Sequence, residues 1–146
     1  MRAVEVIKAS GHPKIRATHA TTLEITKDAE LTERGDCIVA TNASKGAADL
    51  SPEFLKLVKN NTARVTLTIK AANRSETVTG RGDRRLVLIH SADLVVRKSD
   101  YVCPRTLMVQ ADKSASDLSR EFVEVLRDRS LRITLEVVAE LGHGRS

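Results

Sequence analysis

Two short loops in this sequence carry a lysine among small residues just ahead of a helix signal. They are Ser44-Lys45-Gly46-Ala47-Ala48 and Asp112-Lys113-Ser114-Ala115-Ser116. Small residues allow close backbone approach, and a helix start offers free N–H groups and partial positive charge. An anion such as phosphate suits that place, with Lys45 or Lys113 as its point charge. The spacing GxxxxGK[ST] of a nucleotide-binding loop is absent. The competing structural reading is that both lysines are solvated while Asp49 and Asp117 support the loop and helix start. Lys27 and Lys98 recur in the same way. With Arg97, Arg81, Arg84 and Arg85 they would make a basic patch suited to a polyanion such as RNA. Pairing with Asp28, Asp93 and Asp100 is the structural alternative.

Histidines recur too. His19 and His90 occupy matching places and are expected on equivalent strands, near enough to meet at an axis. Either is a candidate general acid or base for an enzyme, with Asp49 or Asp117 in reserve. With His12 and Cys37 they would supply zinc or iron donors. No HxH or HExxH spacing puts two such donors on one element, so the expectation is no metal and no cofactor. Cys37 enters an apolar run, where a small thiol belongs to a core more readily than to a nucleophile. A catalytic signature would be a polar group kept in one half and lost in the other. His12 against Asp83, and Cys37, show asymmetry of that kind.

The elements that must position these groups come in two sets. Residues 42–69 slide onto 110–137 without a gap, with eleven of 28 positions identical. Unrelated segments would share roughly two. A shift three residues different pairs Gly11 with Gly82, His19 with His90, Leu23 with Leu94 and Lys27 with Lys98. In the first half, strands are expected around Val4 and Val6, over Thr18 to Thr26, and over Cys37 to Ala40. Ser51 then caps a helix with Pro52 at its first position, and Arg64 to Lys70 alternates as a strand. The second half repeats the order: Ser75 to Thr79, Leu86 to Val96 and Thr106 to Val109 as strands. A helix follows from Ser114 or Ser119 to Asp128, then a strand from Arg132 to Val138. Phe54 and Phe122 read as twin core anchors. Arg34-Gly35-Asp36 and Arg81-Gly82-Asp83 read as turns, and the tail from Gly142 to Ser146 as loose.

The expected fold is therefore mainly β, of the α+β class. Each half (about 1–71 and 72–146) runs β-β-β-α-β, and the two close as a pseudo-two-fold duplicated β-barrel or barrel-like sandwich in one domain. A chain of 146 residues can bury such a core without staples. The charge balance of 24 basic against 19 acidic side chains gives +5 and favours anionic partners. The aromatics are Phe54, Phe122 and Tyr101, which leaves little on which bases could stack. Two unpaired cysteines, no signal-like start and no long apolar run imply a cytoplasmic protein with no membrane span.

Several segments carry a resemblance: Gly11-His12-Pro13 with Ala17-Thr18-His19, then Ile25-Thr26-Lys27, Arg34-Gly35-Asp36-Cys37-Ile38, Val96-Arg97-Lys98-Ser99-Asp100, and Ala111-Asp112-Lys113. Together they resemble an archaeal family, domain of unknown function 371, along nearly the whole chain. The resemblance implies a small, mainly β, cytosolic protein and carries over no catalytic role. Glu30 to Ile38 is also similar to the Gly-Asp box of cradle-loop and double-psi barrels, in which the Asp ties a loop onto a neighbouring strand. The region of Asp100-Tyr101-Val102-Cys103-Pro104 lacks that Gly-Asp.

Two functional classes follow. The leading one is non-catalytic binding of RNA backbone or a phosphorylated small molecule through Lys27, Lys45, Lys98 and Lys113. The other is an enzyme acting on a small phosphorylated substrate between the halves, with His19 or His90 as acid or base. A deep pocket converging on His19, His90 and a carboxylate favours the enzyme. A broad positive face favours the binder.

Overall fold

The computed structural model describes residues 1–32 and 35–142. Arg34 of the first expected turn and the tail residues 143–146 lie outside them.

Among the described residues eight strands form two sheets. The strands are β1 (Arg2–Ser10), β2 (Thr22–Thr26), β3 (Ile38–Ala40), β4 (Arg64–Ala71), β5 (Arg74–Arg81), β6 (Asp93–Arg97), β7 (Thr106–Met108) and β8 (Arg132–Glu140). Helices α1 (Pro52–Val58) and α2 (Arg120–Leu126) precede β4 and β8, each after a single 3-10 turn. The first sheet runs β1-β8-β4-β5, antiparallel throughout. The second runs β3-β2-β6-β7, with an antiparallel centre and parallel outer pairs. Elements therefore recur in one order in both halves.

Alternation explains the first sheet. Val65, Leu67 and Ile69 of β4 are fully buried, as are Ile133, Leu135 and Val137 of β8. β1 takes the less obvious phase. Val4 and Val6 face outward, while Glu5, Ile7 and Ala9 are buried. Glu5 can sit inside because its carboxylate accepts from the Ser51 amide at 2.7 Å and from Lys45 Nζ at 2.6 Å. Ser51 and Ser119 cap the helices, each hydroxyl accepting the amide of Phe54 or Phe122 at 3.1 Å. Both rings are buried in the core between the sheets.

Two expectations are corrected. The strand expected over Leu86 to Val96 is only Asp93–Arg97. Leu86 and Leu88 are buried and Val87 and Ile89 exposed, which imitates a strand. Leu88 is left-handed at φ 49°, however, and the Ile89 and His90 amides both bond to Pro104 O. The segment before β2 matches: Ala17 has φ 51°, and the Thr18 and His19 amides share Asp36 O.

The second correction concerns closure. The sheets do not form a closed barrel. Among the described residues their edges are joined by the bridges Ser10↔Thr41 and Arg81↔Val109 and by the backbone bonds Ser44 N to Lys8 O at 2.7 Å and Asp112 N to Thr79 O at 2.9 Å, with no continuous ladder. Side chains take the amides of the same two edge residues, with Lys8 N donating to Ser44 Oγ at 3.0 Å and Thr79 N to Asp112 Oδ1 at 2.9 Å.

Candidate active site

The four lysines proposed to bind anions each face a carboxylate of the chain itself. Lys27 Nζ is 3.1 Å from Asp49 Oδ2, and Lys98 Nζ is 2.7 Å from Asp117 Oδ2. Lys45 Nζ is 2.6 Å from Glu5 Oε1, and Lys113 Nζ is 2.9 Å from Glu76 Oε1. The loop amides are occupied likewise. Gly46 N and Ser114 N donate to Asp49 and Asp117 at 2.8 Å, while Ser119 N donates to Glu76 at 3.0 Å. Gly46 does allow a close backbone approach, but by Ser91 and Ala92. A Cβ there would stand 2.8 Å from Ser91 O and from the Ala92 carbonyl carbon.

The histidines separate. His19 precedes β2 and His90 precedes β6, in loops rather than on strands. Because β2 and β6 are antiparallel, with Thr22 opposite Arg97 and Thr26 opposite Asp93, the two rings lie toward opposite ends of the pair. Each does the same local work. His19 Nδ1 accepts from the Thr21 and Thr22 amides at 3.2 and 3.1 Å, and His90 Nδ1 from Ala92 and Asp93 at 3.1 and 2.9 Å. A neutral ring that accepts at Nδ1 carries its proton on Nε2. His12 is wholly buried, accepts from Lys14 N at 3.0 Å, and places Nε2 3.1 Å from Glu30. The metal set of His12, His19, Cys37 and His90 is not assembled. Among the described residues no three His, Cys, Asp or Glu side chains are arranged to hold a metal ion.

What does converge is a cleft on the outer face of the second sheet, with a volume of about 420 Å³. Leu23, Ile25, Leu94 and Val96 face the core, so Thr22, Glu24, Thr26, Asp93, Val95 and Arg97 face the other way. His19, Glu24, Cys37, Arg97 and Arg105 line the cleft. Glu24 is only 7% exposed. Cys37 Sγ donates to Glu24 Oε1 at 3.2 Å, and Arg105 Nη1 lies 3.5 Å from Glu24 Oε2 and 2.9 Å from Asp93 Oδ2. Thr26 Oγ1 donates to Asp93 Oδ1 at 2.7 Å.

These contacts drive the two carboxyls apart. Burial, then the charge of Asp93, pushes Glu24 up to about 7, against the Cys37 hydrogen bond and the Arg105 charge. At Asp93 burial also opposes the charge, but the Thr26, Glu24 and Arg105 contacts outweigh it and hold the group below its ordinary value. The result is an ionised aspartate beside a glutamate poised to exchange a proton near neutrality.

The thiols also diverge. Burial, then the Glu24 charge, pushes Cys37 up to about 12, so it stays a thiol and is no nucleophile. Cys103 falls to about 7: burial opposes its thiolate, but Thr106 Oγ1, the Arg105 backbone and Arg97 prevail. Arg97 donates from Nε to Thr106 Oγ1 at 3.0 Å and from Nη2 to Cys103 Sγ at 3.2 Å, with its carbon 4.9 Å from the centre of the Tyr101 ring.

A family model described as Domain of unknown function (DUF371) matches residues 7–140. The chain belongs to this family. It is also 45% identical over 123 residues to an uncharacterised protein of Methanocaldococcus jannaschii, covering 84% of this chain and 90% of that protein. The resemblance in the sequence thus stands, and the family is archaeal in this relative. No helix among the described residues is long and apolar enough to cross a membrane.

Sequence reasoning singled out Cys37 and His19 but passed over Glu24, Arg97 as a site residue in its own right, and Arg105. A signal was present. In Thr22-Leu23-Glu24-Ile25-Thr26 the glutamate falls between two inward apolar residues, and its counterpart under the histidine-matching shift is Val95. Glu24 and Val95 are also direct cross-strand partners.

Proposed function

We propose that this protein is an acid–base enzyme acting on a small anionic substrate in the cleft of the second sheet. Glu24 takes or gives the proton. Asp93, kept ionised by its contacts with Thr26, Glu24 and Arg105, sustains the proton affinity of Glu24. Arg97 offers its unengaged guanidinium N–H groups to the anionic group, and the Nε2–H of His19 is a further donor at the rim. The observation that carries this reading is the buried Glu24 carboxyl, with a proton affinity near neutral pH, inside a lined cleft. The recurrent element order supports reading the chain as a duplicated unit in one domain, in which one copy keeps Glu24 where the other has Val95. Free Cys37 and Cys103 support a cytoplasmic setting.

Non-catalytic binding through Lys27, Lys45, Lys98 and Lys113 is the weaker reading, because an incoming phosphate would have to displace an internal carboxylate from each lysine.

The test is a thermal-shift screen of small carboxylates and phosphorylated metabolites, since a true ligand raises the melting temperature. Turnover of each hit is then followed with wild type and Glu24→Gln. The reading requires a hit whose conversion is lost in Glu24→Gln while its thermal shift persists. Equal turnover in both proteins refutes the role of Glu24.

A further inference from the structure

On the outer face of the first sheet, Arg64 of β4 and Arg81 of β5 stand directly opposite each other. Directly opposed residues share a face with Cβ atoms about 5 Å apart, and like charges so placed repel. Both residues are exposed. Neither guanidinium has a hydrogen-bond or ion-pair partner among the described residues.

Neighbouring carboxylates are engaged elsewhere. Glu140, the other cross-strand neighbour of Arg64, lies 3.8 Å from Arg2. Asp83 is 2.9 Å from Arg85, and Asp112 Oδ1 accepts the Thr79 amide at 2.9 Å. The two arginines border an open cavity of about 410 Å³, together with Thr62, Thr79 and Gln110. A smaller recess of about 210 Å³ continues from Arg81 and Gln110 toward Asn61. The matching place on the other side of the sheet sets Ser10 of β1 against Arg132 of β8. One arginine and one serine serve the sheet there, so its architecture does not require the second guanidinium.

We propose that Arg64 and Arg81 form a second site, separate from the Glu24 cleft, for the phosphate group of a small phosphomonoester. Two guanidinium forks match a dianion in charge and in hydrogen-bond geometry. Binding relieves their repulsion, and the hydroxyls of Thr62 and Thr79 and the Gln110 amide supply further contacts. A nucleic-acid backbone suits the site less well. Its phosphodiesters carry one charge each, and among the described residues no aromatic side chain adjoins the cavity to stack a base. Phe54 and Phe122 are buried, and Tyr101 lies beside Arg97.

The experiment is isothermal titration of inorganic phosphate into the full chain at fixed ionic strength, using wild type, Arg81→Ser, Arg64→Gln and Lys70→Gln. Lys70 is exposed on the same face and serves as the charge control. Circular dichroism confirms that each variant is folded. Saturable binding by wild type is expected, weakened at least tenfold in each arginine variant and unchanged in Lys70→Gln. Absence of saturable binding, equal affinity in Arg81→Ser and wild type, or equal weakening in Lys70→Gln overturns the proposal. So does tighter binding of a short single-stranded RNA lacking terminal phosphates.

Discussion

Glutamine in place of Glu24 is expected to flatten the pH dependence of stability between about 4.5 and 7. The folded chain holds the Glu24 proton more tightly than the unfolded chain does, because the pKa rises from 4.5 to about 7 on folding. For an acid shifted in this direction, the stabilising effect is fully present below 4.5 and is lost as pH climbs to about 7. Above that pH the loss is complete and constant. The interval, converted at about 1.4 kcal/mol per pH unit, amounts to about 3 kcal/mol. Glutamine has the shape of the protonated glutamate, accepts the Cys37 hydrogen bond through its carbonyl, and cannot ionise. The variant should gain about 2.5 kcal/mol on wild type between pH 5 and pH 8, since part of the effect is already lost at pH 5. Urea unfolding followed by far-ultraviolet circular dichroism measures this, since the chain has no tryptophan. Comparing the two proteins at each pH cancels the other titrating groups. A difference that stays constant within about 0.5 kcal/mol across the range would refute the account of Glu24, and with it the basis of the proposed acid–base chemistry.

Iodoacetamide at neutral pH should alkylate Cys103 and spare Cys37, read by peptide mass mapping, because Cys103 titrates near 7 and Cys37 near 12. Preferential labelling of Cys37 would contradict the assignment of its thiol to Glu24. Ser51→Ala and Ser119→Ala should each cost about 1 kcal/mol in chemical denaturation, as loss of a helix cap does. Phe54→Ala and Phe122→Ala should each cost about 3–5 kcal/mol by the same measurement. A cost below about 1 kcal/mol for either would show that its ring is not close-packed.

Much of the architecture is legible in the sequence. The period-2 pattern of Val65, Leu67 and Ile69, the caps at Ser51 and Ser119, and the paired phenylalanines rest on local stereochemistry. Such signals survive in any tertiary setting. The misreadings share one cause. Leu86 and Leu88 alternate with Val87 and Ile89 as a strand would, yet they follow an irregular path fixed by bonds to Pro104. Alternation reports which side chains are buried, not whether the backbone has a ladder partner. The strand around Val4 and Val6 is expected without a phase, and its phase is set by Lys45 and the Ser51 amide, which stabilise Glu5 inside.

The candidate site shows the same division. Lysines 27, 45, 98 and 113 stood out by recurrence, and recurrence marks shared structure: each pairs with a carboxylate that is itself matched in the other half. By itself the sequence determined the element order, the caps, the paired core anchors and the family, because these depend on neighbours along the chain or on residue identity. Only the tertiary structure decided which charges are neutralised and which carboxyl is poised to exchange a proton. Those properties arise from Glu24, Cys37, Asp93 and Arg105, residues on separate elements whose burial and mutual distances exist only once the second sheet has formed.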